Sequence, residues 1–203
     1  MATCAYCDAN AIYHDDRSNS YLCLAHARLE VTRPRGATPR PPLTVRPATP
    51  TDCPRIVELA GYFWGEVEVE CFDRTHRVDE LPAYVACDDD EIVGVACYTF
   101  ENENGGEGKT INLVMLNVLP RWQGRGAAHE LIAAVIDLGR AEGAKRVIVT
   151  TTNDDLPVLG LYQRMGFTIT EVLVGRLVEH HGGVEPGFAG IPVRDEIRLE
   201  LRL

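Results

Sequence analysis

Residues 118–128 read Val-Leu-Pro-Arg-Trp-Gln-Gly-Arg-Gly-Ala-Ala and so place two glycines and two arginines in one short stretch. A nearly continuous apolar run, Ile111 to Val118, comes before it, and a segment from about Gly126 to Gly143 with apolar residues at helical spacing follows it. The apolar stripe of that segment is Ala128, Leu131, Ile132, Val135 and Leu138. The pattern predicts a central, two-sided strand, a glycine-rich turn and an amphipathic helix, in that order.

A turn of this kind can bind phosphate groups. Glycine lets the backbone approach a ligand closely, and the first N–H groups of a helix have no partner within the helix. These N–H groups lie at the positive end of the helix dipole, which favours a diphosphate. Arg121 and Arg125 would add positive charge. A tight strand-to-helix turn that needs glycine for packing alone would account for the same residues.

The segments around this unit predict an alternation of strands and helices. Leu43 to Arg46 has the alternation of a short strand, and Thr49 with Pro50 is typical of a helix start. The apolar face of that helix would be Ile56, Leu59, Ala60 and Phe63. We also predict a weaker helix that includes Asp79 to Ala83. Further predicted strands are Tyr84–Cys87, Ile92–Phe100, Arg146–Thr152, Ile169–Val174 and Ile197–Leu203, with a turn at Asn104–Gly106 and a short helix from Asp154 or Asp155 to Arg164.

These residues together resemble the GNAT superfamily of N-acetyltransferases. Gln123, Gly126 and Ala128 occupy the conserved places of its motif A, and residues 155–167 look like its motif B, with Tyr162 at the tyrosine position. The opening of the predicted domain, residues 45–52, is also similar to that of the family. The resemblance covers roughly residues 43–203, and linked motifs at the right separation make it more specific than either motif alone.

The resemblance implies an α/β fold of mixed α+β character, with a central mixed sheet flanked by helices and splayed between the Ile111–Val118 strand and the next one. It also implies acetyl-CoA as cosubstrate, with pantetheine lying in the splay and the diphosphate at the helix start. The cofactor-binding residues would then be Leu116, Asn117, Val118, Gln123, Gly124, Arg125, Gly126, Ala127, Ala128, Asn153 and Asp155. Asp155 stands where the family often has asparagine, so Asn153 could take over the contact while Asp155 caps a helix.

The same resemblance suggests catalytic residues. Tyr162 matches the family tyrosine that donates a proton to the leaving thiolate, although a core aromatic on a short helix would look the same. Glu66, Glu68 and Glu70 lie where the family builds its acceptor site, and Glu68 and Glu70 are our candidates for the general base. Asp195, Glu196 and a chain of water molecules are alternatives for the base.

A separate pattern marks the N-terminus. Cys4 and Cys7 are separated by two residues, as are Cys23 and His26, and fifteen residues lie between the pairs. Three thiolates and one imidazole form a closed tetrahedral set, which predicts a structural zinc site. So short a segment could not fold on an apolar core of its own, and the metal would supply the folding energy.

We therefore expect a zinc-binding module at residues 1–31, a Pro/Arg-rich linker at 32–42 and an acetyltransferase domain at 43–203. The formal net charge of −10 weighs against nucleic-acid binding and suits a small-molecule or protein amine as substrate. No apolar stretch is long enough to span a membrane, and we expect a cytoplasmic protein. The rival functions are a non-catalytic acyl-CoA sensor whose zinc module docks a protein partner and a nucleic-acid-associated factor.

Overall fold

The computed structural model describes residues 13–15, 20–22, 43–102 and 108–203. Its main feature is a seven-stranded sheet with the strand order β10-β13-β9-β8-β7-β6-β3. These strands are β3 (Thr44–Pro47), β6 (Ala83–Asp88), β7 (Glu91–Asn102), β8 (Lys109–Val118), β9 (Ala144–Thr152), β10 (Thr168–Leu173) and β13 (Glu196–Arg202). The pair β8–β9 is parallel and the other neighbouring pairs are antiparallel, which confirms the predicted mixed sheet.

Three small antiparallel pairs complete the strands of the described residues. They are β1 (Tyr13–Asp15) with β2 (Ser20–Leu22), β4 (Glu68–Cys71) with β5 (Arg74–Arg77), and β11 (Glu185–Pro186) with β12 (Pro192–Val193). The helices are α1 (Cys53–Trp64), α2 (Ala127–Ala141), α3 (Leu156–Arg164) and α4 (Arg176–His181). Among the described residues, the helices fall short of the length and apolar character that a membrane span requires.

The sheet is covered on both faces. Helices α2 and α3 pack on one face around a core that contains Leu131, Val135 and Tyr162. Helix α1 and the β4–β5 hairpin pack on the opposite face around a second core that contains Leu59, Val69 and Met115. Side chains therefore alternate between two apolar layers along β8, which explains why its sequence is apolar at nearly every position.

One sequence-based prediction on the second face was wrong. The helix expected at Asp79–Ala83 is a single 3-10 turn at Val78–Glu80, and Ala83 already belongs to β6. Pro82 disfavours a helical conformation in the residue before it, so a helix cannot continue into this strand. The predicted turn at Asn104–Gly106 lies outside the described residues. So do the predicted zinc ligands, which are Cys4, Cys7, Cys23 and His26.

The junction between β3 and α1 is fixed by one carboxylate. Asp52 accepts hydrogen bonds from the Thr49 backbone N–H at 2.7 Å and from the Arg46 guanidinium at 2.7 and 2.9 Å. The hydrogen bonds from Arg46 and then from Thr49 hold the pKa of Asp52 well below its ordinary value. Asp52 therefore links the edge strand of the sheet to the helix that covers it.

We expect Asp52→Asn to lower the free energy of unfolding by about 1–2 kcal/mol at pH 7, because the charge-assisted hydrogen bonds from Arg46 and the Thr49 N–H are weakened. A carboxyl group with a depressed folded-state pKa stabilises the protein above its ordinary pKa of about 4, and this stabilisation is lost as the pH falls toward the folded-state pKa. The difference between variant and wild type should therefore shrink below about pH 4 in urea-unfolding measurements.

The matched control is Asp137→Asn, which removes a carboxylate from an exposed pair with Arg140. It should change the free energy of unfolding by less than about 0.5 kcal/mol. A pH-independent loss at Asp52, or equal losses at the two positions, would contradict the assigned role of Asp52.

Candidate functional site

The central parallel pair of strands comes apart at one end. Strands β8 and β9 are paired from Lys109 and Ala144 to Leu113 and Val149, and the ladder ends there. Strand β8 nevertheless continues to Val118, and β9 continues on the other side of the gap to Thr152. A cleft therefore opens between the two strands, and its mouth faces the glycine-rich turn.

The register of β8 shows which main-chain groups point into this cleft. Leu119 N–H donates to the Val93 carbonyl at 2.9 Å, and Leu116 and Asn117 lie opposite Ala96 and Val95. Hydrogen-bonded and non-hydrogen-bonded pairs alternate along an antiparallel ladder. The main chain of Asn117 is thus directed toward β7, whereas the N–H groups of Leu116 and Val118 are directed into the cleft.

The turn after β8 is held by its own side chains and glycines. The Gln123 side-chain amide donates to the Val118 carbonyl at 2.9 Å, which folds residues 119–123 back onto the end of the strand. Gly124 and Gly126 have φ of 66° and 95°, the left-handed region that favours glycine. A Cβ atom added to Gly126 would meet no atom within 4 Å among the described residues, so open space lies in front of the start of α2.

The two arginines of the turn lie beside acids of the β6–β7 hairpin. Arg125 lies 3.3 Å and the Trp122 indole N–H 2.6 Å from one carboxylate oxygen of Asp88. The bond from Trp122 and then the one from Arg125 lower the pKa of Asp88. Arg121 lies 3.1 Å from Glu91 and stacks over the Trp122 ring at 3.7 Å. The turn is therefore anchored to the hairpin. The groove beside Arg125 measures about 430 Å³ and is lined by Leu43, Val45, Arg125, Gly126, Ala127 and Glu130.

Helix α3 places Tyr162 in the core on the face of the sheet that α2 covers. Asp155 caps this helix by accepting a hydrogen bond from the Val158 N–H at 3.2 Å. Tyr162 is 2% exposed and its ring lies 5.3 Å from the Phe167 ring. Burial, with a smaller contribution from the negative charge of Asp155, raises the pKa of Tyr162. The phenol is therefore held in its protonated form.

Asn153 ties the end of β9 to the segment that leads into β13. Its Oδ1 accepts hydrogen bonds from the N–H groups of Arg194 and Asp195, both at 2.8 Å, and its Nδ2 donates to the Pro192 carbonyl at 3.0 Å. The neighbouring Asp154 accepts hydrogen bonds from Thr152 Oγ1 and from Phe188 N–H. The side chain of Asn153 is thus engaged within the protein, and that of Asp155 forms the helix cap.

The acids expected near an acceptor lie on the β4–β5 hairpin. Val69 and Cys71 point inward and are buried, whereas Glu68 and Glu70 lie on the exposed side. Glu70 is paired with Arg176 at 2.7 Å and with His180 at 3.1 Å.

Two further candidates for the base lie at the start of the last strand. Asp195 accepts hydrogen bonds from Arg194 and from Gly175 N–H, which lower its pKa. Glu196 is 2.7 Å from Arg198. Both acids are therefore engaged with positively charged side chains, and the ordinary basicity of a free carboxylate is already reduced at Asp195.

Sequence reasoning missed several contacts that shape the site, notably those of Asp88, Asp154, Arg176 and Asn112. Asn112 donates to the Cys71 thiol at 3.4 Å and so joins β8 to the β4–β5 hairpin. A clue existed for Asp88, because the acidic run at residues 88–91 complements the charge of Arg121 and Arg125. The other contacts join residues between 34 and 106 positions apart, a separation that no local pattern reveals.

The sequence matches the acetyltransferase (GNAT) family over residues 51–167. The protein YxbD of Bacillus subtilis is 28% identical over 142 residues, which are 67% of this chain and 84% of YxbD. The aminoglycoside N(6')-acetyltransferase type 1 of Stenotrophomonas maltophilia is 27% identical over 137 residues, which are 64% of this chain and 90% of that enzyme. A GNAT family acetyltransferase from Elizabethkingia anophelis, solved with acetyl-CoA bound, superimposes with a TM-score of 0.56 at 22% identity and covers 79% of this chain and 98% of its own.

The hydrogen bonds of Asn153 predict a cost in stability. We expect Asn153→Ala to lower the free energy of unfolding by about 1–3 kcal/mol, because the N–H groups of Arg194 and Asp195 lose their acceptor. Gln163→Ala is the matched control, since its amide donates only to a carbonyl of its own helix. Chemical denaturation of both variants makes the comparison, and an Asn153 variant as stable as the Gln163 variant would contradict this role.

Proposed function

Because the chain belongs to the acetyltransferase (GNAT) family, we propose that it transfers the acetyl group of acetyl-CoA to the nitrogen of an amine acceptor. The observation that carries this proposal is the cleft between β8 and β9, into which the N–H groups of Leu116 and Val118 point. An extended amide-containing chain such as pantetheine can pair with such groups as an added strand would. The cleft also leads directly to a turn suited to phosphate.

The coenzyme would be held mainly by the main chain. Pantetheine would lie along Leu116 and Val118, with Asn117 between them turned toward β7. The diphosphate would lie at the start of α2, where Gly126 leaves open space and helix N–H groups face outward. The residues proposed for this part of the site are Gln123, Gly124, Arg125, Gly126, Ala127 and Ala128.

Two of the predicted coenzyme-binding residues, Asn153 and Asp155, follow β9 and make their contacts within the protein. Asn153 is occupied by the segment 192–195, and we propose that it contributes to coenzyme binding only by fixing that end of the cleft. Asp155 caps α3, and burial raises the pKa of its carboxyl group. We propose that Asp155 serves this helix rather than a polyanionic ligand.

The proposed reaction needs one base, one polarised carbonyl and one acid. The acceptor nitrogen attacks the thioester carbonyl carbon, the carbon–sulfur bond breaks, and one proton leaves the nitrogen while one reaches the sulfur. A main-chain N–H of the cleft, from Leu116 or Val118, would stabilise the negative oxygen of the tetrahedral intermediate. Tyr162, protonated in the resting protein, would supply the proton to the thiolate.

For the base we propose an acid of the β4–β5 hairpin. Glu68 lies 3.5 Å from Arg77 of the same hairpin, whereas Glu70 faces Arg176 and His180 from the segment after β10. Glu70 is therefore the better placed of the two to meet an acceptor that enters between these elements. It would take the proton from the acceptor nitrogen directly or through one water molecule.

We expect Gly126→Leu to weaken acetyl-CoA binding at least tenfold in calorimetry, because the new side chain fills the space proposed for the diphosphate. Gly143→Leu is the matched control at the other end of α2. Gly143 also has positive φ, 69°, and no atom within 4 Å of an added Cβ among the described residues. Both substitutions impose similar backbone strain of about 1–2 kcal/mol. Equal affinities in the two variants would contradict the proposed phosphate site.

We expect Tyr162→Phe to lower kcat roughly 100-fold or more, because the thiolate would leave without its proton donor. The Kd for acetyl-CoA should stay within about twofold, since the ring and its packing against Phe167 are kept. Release of free thiol in the presence of a panel of primary amines measures kcat. Unchanged turnover would remove Tyr162 from the mechanism.

We further propose that the chain consists of a zinc-binding module at residues 1–31, a linker at 32–42 and the transferase domain at 43–203. The support for zinc is the spacing of Cys4, Cys7, Cys23 and His26 in the sequence. Three thiolates and one imidazole leave no open coordination position, so the metal would be structural.

Purified protein should contain about one zinc per chain by elemental analysis. Cys4→Ser should lower this content, because it removes a proposed ligand. Cys53→Ser is the control and should leave the zinc content unchanged, because Cys53 is a free cysteine of helix α1. The module would be contradicted if purified wild-type protein contained no zinc and if adding zinc left proteolysis of its N-terminus unchanged.

A further inference from the structure

The β4–β5 hairpin crosses the face of the sheet at the closed end of the cleft. At one point Cys71 accepts a hydrogen bond from Asn112 of β8 at 3.4 Å. At its tip Asp73 accepts one from Arg198 of β13 at 3.0 Å, and Arg198 lies opposite Thr150 of β9. The hairpin therefore passes over β8 and β9 close to the level of Leu113, where these strands separate.

A cluster of ion pairs joins this hairpin to the segment after β10. Arg176 lies 2.7 Å from Glu70 and 2.9 Å from Asp73, and His180 lies 3.1 Å from the second carboxylate oxygen of Glu70. We name this cluster the hairpin bridge; its members are Glu70, Asp73, Arg176 and His180. It connects the hairpin to the segment after β10, and in the function proposed above the acceptor would approach the cleft between these two elements.

The segment that carries Arg176 is anchored independently of the bridge. Gly175 N–H donates to Asp195 at 2.8 Å, and Leu177 N–H donates to the Arg194 carbonyl at 3.0 Å. If the ion pairs of the bridge separate, this segment keeps its attachment to the residues that lead into β13. The hairpin then loses its link to this segment, while Asp73 keeps its hydrogen bond to Arg198.

The bridge is exposed enough to open. The side chains of Arg176 and Glu70 are 33% and 34% exposed, and that of Asp73 is 62% exposed. Ion pairs at such positions are individually weak and are screened by salt. Together they can bias the hairpin toward the closed arrangement without locking it.

We propose that Arg176 is a specificity-determining residue, which closes the acceptor entrance by pairing with Glu70 and Asp73 and uncovers Glu70 when the pairs separate. That this opening admits an amine acceptor rests on the function proposed above. The opening itself, however, is a property of the protein alone and can be measured without coenzyme or amine. Acceptors that are small enough, or that themselves offer a cation to Glu70, would be favoured.

The thiol of Cys71 reports on this opening. It is 2% exposed on the inner side of the hairpin, and burial raises its pKa to about 11, so it is shielded while the hairpin is closed. We expect Arg176→Gln to accelerate alkylation of Cys71 by iodoacetamide roughly fivefold or more. Peptide mass spectrometry measures the rate at each cysteine. Cys97 in the core of the sheet, with 0% exposure, should react at the wild-type rate and serves as the internal reference.

Arg77→Gln is the matched control. Among the described residues, Arg77 forms ion pairs with acids of the same hairpin and of the turn after it, which are Glu68, Asp79 and Glu80. It should leave Cys71 alkylation unchanged. Asp73→Asn removes a bridge acid that also binds Arg198, so it should act in the same direction as Arg176→Gln and at least as strongly. Raising the sodium chloride concentration to 1 M should accelerate Cys71 alkylation in the wild type but not in Arg176→Gln.

The proposal would be overturned if Cys71 were alkylated at the wild-type rate in both bridge variants. It would also be overturned if Arg77→Gln accelerated the alkylation as much as Arg176→Gln does. The function proposed above would stand in that case, because it is tested by coenzyme binding and thiol release. Conversely, faster Cys71 alkylation in a protein that fails to bind acetyl-CoA would support the closure and reject the transferase assignment.

Discussion

The site depends on two parallel strands that stop pairing after Leu113 and Val149 and yet continue. Main-chain groups left without a partner in a protein interior cost free energy unless water or a ligand satisfies them. The neighbours on either side, β7 and β13, keep β8 and β9 extended beyond the point of separation. The sheet therefore maintains a strand-shaped gap, and the glycine turn at its mouth leaves open space before the start of α2.

The surroundings of the gap are held by polar contacts between distant segments. Asp88 fixes the turn through Trp122 and Arg125, and Asn153 fixes the far end of β9 against residues 192–195. On the opposite face of the sheet, the β4–β5 hairpin is held by its buried residues Val69 and Cys71, by Arg198 at Asp73, and by the exposed ion pairs of Arg176. Contacts between residues far apart in the sequence therefore hold the turn, the end of β9 and the hairpin in place.

Much of the fold could be predicted because its signals are local. The apolar run before Val118, the helical spacing after Gly126 and the alternation of residues 197–203 each specify one element, and the structure confirms all three. The β4–β5 hairpin was missed because its four-residue strands are exposed on one side and carry charges. The bridge at Arg176 and the anchor at Asp88 could not be predicted, since they arise only when separate strands come together. The roles of Tyr162, Glu68 and Glu70 in catalysis remain predictions.

Amide hydrogen exchange at the cleft, followed residue by residue by NMR with and without acetyl-CoA, tests the central claim most directly. The N–H groups of Leu116 and Val118 should exchange quickly in the free protein. They should become protected when the coenzyme is present, because pantetheine would lie in the gap and accept hydrogen bonds from them. Asn117, which is paired with β7, should be protected in both states. Exchange at Leu116 and Val118 that acetyl-CoA leaves unchanged would contradict the account.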